Sequence, residues 1–187
     1  PADSMLAVYD ALWQAGTAHG IANYGSFAMN AMRMEKGFKG AGELTNEVTL
    51  PEADVMRFVN LDTGEFIGRN ATLASQQAAD AGNLPWICTY LAIDGDGISD
   101  GHGGEAVLQD GVVVGATSSV AYGHSVGKGL AFAYLKPQAA TPGTALEVVI
   151  MNSPRPAVVL GEPAYDPQNI RPRSDILTSA EPKGMTA

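Results

Sequence analysis

The sequence is poor in cysteine and in positive charge. It has one cysteine, Cys88, three histidines, and 11 lysine and arginine residues against 20 acidic ones, for a net charge of −9 over 187 residues. A single cysteine excludes an internal disulfide framework and a thiolate metal cluster. Nucleic acid binding needs several cations on one face, and the basic residues form no cluster, so we expect no nucleic acid partner.

Long apolar runs are also missing. No window approaches the roughly 18 uninterrupted apolar residues of a membrane span, so we expect no membrane insertion. The opening stretch "PADSMLAVYDALW" has acidic residues where the basic region of a signal peptide belongs. Cys88 lies in the apolar strand pattern "WICTYLAID", which favours a buried, inert thiol and a reducing compartment. We therefore expect a cytoplasmic location, or the mitochondrial matrix in a eukaryote.

The first part of the sequence has helical patterns. Residues 3–18 repeat apolar side chains at helical spacing, and a second helix is predicted from about Ser26 to Lys36, with Gly37 in a left-handed position after it. A third helix is predicted in "FIGRNATLASQQAADAG", which ends at Gly82. Because the chain begins at Pro1 without an initiator methionine, we expect a fragment, a processed chain or one subunit of something larger.

The pattern changes to short strands after Pro85. The sequence has six short apolar runs rich in β-branched residues, which are "WICTYLAI", "EAVLQ", "VVVGATSS", "LAFAYL", "ALEVVIM" and "PAVVL". Glycine, asparagine and proline turns separate them, which predicts a small antiparallel sheet or barrel. Asp110-Gly111 between two of these runs predicts a tight hairpin. The tail from about Pro167 has an irregular composition.

Two acidic or glycine-rich stretches resemble ligand loops without matching them. From Asp94, "DGDGISDGHGGE" has an isoleucine at position 5 and a serine at position 6, where a calcium loop needs an oxygen ligand and a glycine. "GHSVGKG" has Lys128 followed by glycine, between strands, and so lacks the phosphate-loop pattern. We interpret both stretches as strand connections.

Other catalytic and metal motifs are also incomplete. His19, His102 and His124 are far apart, and none has a second histidine at helical zinc spacing, so ordinary loop histidines are favoured. "TSSVAYGHS" lacks a G-x-S-x-G elbow, and no G-x-G-x-x-G follows a strand. We therefore predict no metal ligand and no catalytic residue within this sequence.

Glu35 is the remaining candidate. It lies between Arg33 and Lys36 at the end of the second helix, where the helix dipole disfavours a carboxylate. If the side chain is exposed, this costs only about a few tenths of a kcal/mol, and a surface charge is the simpler interpretation. If it is buried, it needs donors, and a nitrogen heterocycle with an N–H beside an amino group supplies two in parallel.

Three segments in order resemble a known family. "MRMEKGFKGAGELTNEVTLPEA", then "FIGR", then "DGVVVGATSSVAYGHSVGKGLAFAYL" resemble the C-terminal part of aminomethyltransferases. This family includes the glycine cleavage T-protein and the folate-binding region of dimethylglycine and sarcosine dehydrogenases. The resemblance is stronger to this flavoprotein branch, because "EKG" stands where T-proteins usually have "EAG", and "GEPAYDPQNIRPR" is also similar to that branch.

The resemblance implies an α+β fold, in which a partial ferredoxin-like helical segment precedes a six-stranded antiparallel β-barrel. The implied boundaries are 1–82 for the tail of the ferredoxin-like folate-binding domain with a connecting helix, 83–166 for the barrel and 167–187 for an irregular tail. Tetrahydrofolate is the implied cofactor. Glu35 matches the glutamate that binds its pterin ring, Arg69 is the nearest match to a cofactor-holding arginine, and Tyr24 and Tyr165 are candidates for the channel wall.

The resemblance also implies missing parts. The family's catalytic aspartate and the FAD domain of the dehydrogenase branch lie upstream of this region, either earlier in the polypeptide or on a partner subunit. The implied parent activity transfers a one-carbon unit from an N-methyl amine, such as dimethylglycine or sarcosine, to tetrahydrofolate, and the isolated chain is expected to be inactive. A non-catalytic binding or assembly subunit on the same scaffold, or a T-protein-type aminomethyltransferase, remains an alternative.

Overall fold

The computed structural model describes residues 1–95 and 101–173. Three α-helices come first in this part of the chain, and six β-strands follow them. The helices are α1 (Met5–Gly16), α2 (Ser26–Glu35) and α3 (Arg69–Asp80). The strands are β1 (Ile87–Ile93), β2 (Ala106–Gln109), β3 (Val112–Gly123), β4 (Lys128–Leu135), β5 (Ala145–Ile150) and β6 (Ser153–Leu160).

The strands close into an antiparallel barrel in the order β1-β4-β3-β2-β5-β6. Closure depends on β1, which pairs with β4 along one edge and with β6 along the other, so that Leu91 lies opposite both Ala131 and Val159. The prediction of an α+β fold with a six-stranded antiparallel barrel is confirmed. The strand pattern alone left open whether the strands form an open sheet or a barrel, and the pairing of β1 with β6 closes the barrel that the family resemblance implied.

Side chains on both faces of β1 and β4 are buried. Alternate residues such as Leu91 and Leu135 fill the barrel interior, while their neighbours Cys88, Leu130 and Phe132 pack outside the barrel with Met34 of α2. Burial on both faces explains why "WICTYLAI" is a continuous apolar run instead of an alternating one. The second apolar cluster attaches α2 to the outside of the barrel.

The hairpin between β2 and β3 forms at the predicted dipeptide. Asp110 and Gly111 have φ values of 51° and 77°, and both are therefore left-handed. Two positive φ values are what a two-residue type I′ turn requires, and aspartate-glycine adopts them at low cost.

Helix α1 contrasts with α2 in its burial. Its large apolar side chains are exposed, with Met5 at 71%, Leu6 at 70% and Leu12 at 62%. A helix with so much exposed apolar surface gains little from packing, and apolar patches of this kind mark contact surfaces. No helix in the described ranges is long and apolar enough to cross a membrane.

Cys88 is buried as predicted, with 5% of its surface exposed. Burial raises the pKa of its thiol from 9.0 to about 12. The thiolate is the reactive species, and a shift of this size lowers the thiolate fraction about a thousandfold.

We expect Cys88 in the folded protein to react with a disulfide reagent at pH 8 at least about 100-fold more slowly than after denaturation. The Cys88→Ser variant identifies its signal, and a rate equal to that of the denatured protein would contradict the prediction.

Candidate functional site

Glu35 lies at the junction of α2 and the barrel. Only 4% of the residue is exposed, and its Oε1 accepts a hydrogen bond of 2.6 Å from the backbone N–H of Ser125, in the turn between β3 and β4. Gly123 permits this approach, since a Cβ there would lie 3.1 Å from Glu35 Cγ. Glu35 is therefore a buried carboxylate at an interface between two elements and is not a surface charge.

The end of α2 is fixed by backbone hydrogen bonds. Gly37 has φ of 65°, its N–H donates to Met34 O, and the N–H of Phe38 donates to Arg33 O. This is a Schellman ending, which satisfies carbonyls that the helix leaves without partners. The barrel side supplies Tyr90, whose hydroxyl donates to Met34 O at 2.6 Å.

Tyr165 is the predicted site residue that the structure brings to Glu35. It lies after β6, and its N–H donates to Glu35 O at 3.0 Å. The contact is through the backbone, so it places Tyr165 beside the helix end without assigning a role to its ring. Arg171 lies over that ring, with its guanidinium carbon 5.4 Å from the ring centroid.

The other two candidates, Arg69 and Tyr24, have surroundings that do not involve Glu35. Arg69 begins α3, donates to Leu61 O at 3.2 and 3.3 Å, and lies 3.8 Å from Glu65 in an ion pair. Tyr24 precedes α2 and is 67% exposed. Their proposed contacts with a folate stay predictions.

A second buried carboxylate, Glu43, was not identified from the sequence. It is 0% exposed, and its Oε2 lies 2.7 Å from Arg33 Nη1 and 2.7 Å from the donating backbone N of Gly40. Its Oε1 accepts from the Ser118 hydroxyl at 2.9 Å, and Arg33 Nη2 donates to Ser119 at 2.9 Å. Asn30 and Arg33 lie three residues apart on one face of α2, but this spacing does not point to a glutamate ten residues after Arg33.

The hydroxyl groups of Ser118 and Ser119 reach this network because β3 is irregular there. The register between β3 and β4 shifts between Thr117 and Ser119. Successive side chains of a regular strand point to opposite faces, whereas a bulge re-aims one of them. Burial alone would raise the pKa of Glu43, but hydrogen bonds from Ser119, Gly40, Arg33 and Ser118 outweigh it and lower the pKa below 4.5.

Glu105 is also satisfied within the protein. Its carboxylate accepts from the backbone N–H groups of His102 and Gly103 and from the hydroxyl of Thr117. Burial acts to raise its pKa, and the hydrogen bonds, that of Thr117 first, lower it overall. Part of the stretch compared with a calcium loop, residues 96–100, lies outside the described residues. Within the described ranges, no three acidic, histidine or cysteine side chains could hold a metal ion.

A groove of about 450 Å³ is lined in part by the loop after α2. Its lining includes Lys36, Lys39, Cys88 and Phe132. Lys39 forms an ion pair of 2.9 Å with Asp54, so this cation is already neutralised. Glu35 does not line the groove, although its neighbour Lys36 does.

The fold and site define a class of protein in which a closed antiparallel barrel carries a buried helix-terminal glutamate. Two family models match the sequence, "GCVT N-terminal domain" over residues 1–63 and "Glycine cleavage T-protein C-terminal barrel domain" over residues 88–166. The chain belongs to this aminomethyltransferase family and corresponds to its C-terminal part, which confirms the resemblance recognised in the sequence.

Relatives include both flavoproteins and aminomethyltransferases. Human mitochondrial dimethylglycine dehydrogenase is 39% identical over 163 residues, which cover 86% of this chain and 18% of that protein. The 4-methylaminobutanoate oxidase (formaldehyde-forming) of Paenarthrobacter nicotinovorans is 33% identical, with 92% and 20% covered. A probable aminomethyltransferase of Thermococcus kodakarensis is 30% identical, with 89% and 42% covered. The chain thus spans less than half the length of each.

A solved structure supports the fold. The glycine cleavage system aminomethyltransferase T of Bartonella henselae superposes with a TM-score of 0.65 and 19% identity. The match covers 75% of this chain and 38% of that one. At this identity the likeness shows the fold alone.

Proposed function

We propose that this chain is the C-terminal portion of a tetrahydrofolate-dependent aminomethyltransferase region, and that Glu35 recognises the pterin ring. The burial of Glu35 at the junction of α2 and the barrel carries the proposal. A buried carboxylate is retained only when donors satisfy it. The Ser125 N–H supplies one hydrogen bond, and a carboxylate offers about four lone-pair sites.

A pterin ring has hydrogen-bond donors that fit the Glu35 carboxylate. The N–H and amino groups of that ring form a parallel pair of donors, which matches the two oxygens of a carboxylate. Glu35 would bind and orient the ring, Ser125 would hold Oε1 in place, and Schellman bonds would fix the helix end. Only 4% of the residue is exposed, and a carboxylate that is shielded from water would form stronger hydrogen bonds to a ligand.

The names of two relatives support an N-methyl amine as the substrate. Two of them are named for dimethylglycine and 4-methylaminobutanoate, both N-methyl amines. We propose that the whole protein transfers a one-carbon unit from such an amine to tetrahydrofolate, giving 5,10-methylenetetrahydrofolate and the demethylated amine. FAD bound elsewhere would supply the two-electron oxidation of the methyl group, and tetrahydrofolate would accept the carbon.

Further residues would complete the folate domain. The N-terminal family model matches residues 1–63, and the relatives are several times longer than the chain. The exposed apolar face of α1, with Met5, Leu6 and Leu12, offers packing surface for them. We propose that residues 1–82 form the tail of a ferredoxin-like domain, 83–166 the barrel and 167–187 an irregular tail, and that the missing folate and flavin parts pack on α1.

Binding of tetrahydrofolate to the full-length protein tests the role of Glu35. The Glu35→Gln variant is expected to weaken binding by about 1–3 kcal/mol. The substitution removes the charge that strengthens the hydrogen bonds to the ring, and it places an amide N–H donor opposite a donor of the ring. Isothermal titration calorimetry measures the change. Glu147→Gln, an exposed glutamate of β5, is the matched control and should leave the affinity unchanged.

Unchanged affinity in Glu35→Gln, with the fold intact, would remove Glu35 from the pterin site. If the unmodified full-length protein bound no tetrahydrofolate, the proposed function itself would be wrong. The alternative of a non-catalytic assembly subunit would then be favoured.

A further inference from the structure

The residue after Glu35 attaches the end of α2 to the chain that follows the barrel. We call residues 165–173 the C-terminal strap. The Lys36 ammonium donates to Tyr165 O at 3.3 Å, to Asp166 O at 2.7 Å and to Asn169 Oδ1 at 2.7 Å. An ammonium has three hydrogens and here has three acceptors, so its donor capacity is fully used. Asp166 Oδ2, at 3.8 Å, adds a charge of opposite sign.

The strap is folded around this charge. Asp166 and Asn169 have φ values of 43° and 53°, a left-handed region that non-glycine residues adopt infrequently. The Asp166 carboxylate also accepts from the backbone N–H groups of Ile170, at 2.8 Å, and Arg171, at 3.3 Å. This folding brings three oxygens, Tyr165 O, Asp166 O and Asn169 Oδ1, together around the Lys36 ammonium. Without the ammonium, their negative ends would repel one another.

The same strap holds the backbone of Glu35. Tyr165 donates its N–H to Glu35 O at 3.0 Å, while its carbonyl accepts from Lys36. Glu35 and Lys36 are thus joined to one strap residue by two hydrogen bonds of opposite direction. Lys36 is 21% exposed at its side chain, so these contacts are partly shielded from water.

We propose that Lys36 is a positioning residue for Glu35. By clamping the strap to the end of α2, it fixes the Glu35 backbone and with it the carboxylate that a pterin ring would meet. The role in ligand binding depends on the proposed function, whereas the clamp is a property of the fold. A side chain that cannot donate three hydrogen bonds would release the strap and let the carboxylate move.

The test compares Lys36→Met with Lys39→Met in the full-length protein. Lys39 lies in the same loop but pairs with Asp54, so its replacement keeps the strap in place. Hydrogen exchange should become at least about 10-fold faster at residues 165–173 in Lys36→Met and stay unchanged there in Lys39→Met. Tetrahydrofolate affinity should fall about 5- to 20-fold in Lys36→Met only.

A double-mutant cycle separates positioning from general stability. If Lys36 acts through Glu35, Lys36→Met should weaken binding little or not at all in a Glu35→Gln background. Unchanged exchange of the strap would overturn the clamp. A faster-exchanging strap with unchanged affinity, or the same loss of affinity in both backgrounds, would overturn the positioning role. If the unmodified protein bound no tetrahydrofolate, the proposed function would fail as well, while exchange would still report on the clamp.

Discussion

Glu43→Gln is expected to lower the free energy of unfolding by about 3 kcal/mol at pH 7. The substitution leaves the Arg33 charge without its partner and gives Gly40 N–H and Ser118 a weaker acceptor. Removing one member of a buried ion pair costs about 3–5 kcal/mol, and the lower end applies because the Arg33 side chain is 22% exposed. Urea denaturation of the protein measures the change.

Asp54→Asn is the matched control for this prediction. Asp54 pairs with Lys39 at the same kind of distance, 2.9 Å, but its side chain is 62% exposed. The Lys39 side chain is 11% exposed, but the Asp54 carboxylate itself is mostly in water and asparagine keeps an oxygen acceptor there. An ion pair with such an exposed carboxylate contributes about 0–1 kcal/mol, so this variant should change stability by less than about 1 kcal/mol. Equal losses in both variants would show that burial of Glu43 has no energetic consequence.

The pH dependence of the Glu43 contribution has a definite sign. Its pKa in the folded protein is below the ordinary value of 4.5, because the hydrogen bonds outweigh burial. A group with a lowered folded pKa contributes stability that is fully present above the unfolded pKa and is lost as the pH falls through the folded one. The stability difference between the unmodified protein and Glu43→Gln should therefore shrink as the pH is lowered below 4.5.

Gly115→Ala is expected to destabilise the barrel by at least about 3 kcal/mol. A Cβ at Gly115 would lie 2.1 Å from Tyr134 O and 3.0 Å from Leu135 Cα. Overpacking costs about 1–3 kcal/mol when side chains can adjust, and here the obstacle is the backbone of β4, which pairs directly with Gly115. The strands must separate for the methyl group to fit.

The damage from Gly115→Ala should extend to the site. The Tyr134 hydroxyl donates to Glu43 O at 2.6 Å, so a shift of β4 disturbs the Glu43 network.

Gly25→Ala is the control for Gly115→Ala. A Cβ at Gly25 would meet nothing within 4 Å beyond its chain neighbours, and its φ of −91° suits any residue. It should cost less than about 1 kcal/mol in thermal or urea unfolding. A tolerated alanine at 115 would show that the pairing of β3 with β4 is looser than the structure has it.

Much of the local structure could be predicted from the sequence. The end of α2 before Gly37 and the turn at Asp110-Gly111 depend on backbone preferences of a few adjacent residues, which a sequence displays directly. The six apolar runs likewise predicted six strands, because strand patterns are also local. Glu35 was singled out by the order of three motifs, although by charge alone a surface position was the simpler interpretation.

The rest depended on contacts between distant residues. Glu43 and Ser118 are 75 positions apart, and the hydroxyl reaches the carboxylate because of a bulge that no motif announces. Lys36 and Asn169 are 133 positions apart, so the sequence could not show that a helix-terminal lysine is a clamp.

The sequence by itself determined the helices and strands, the turn types and the family. Only the tertiary structure decided that β1 closes the barrel with β6 and that the carboxylates of Glu35 and Glu43 are buried. The physical reason is that turn and helix-end preferences arise within a few residues, whereas burial and barrel closure depend on which distant segments come together.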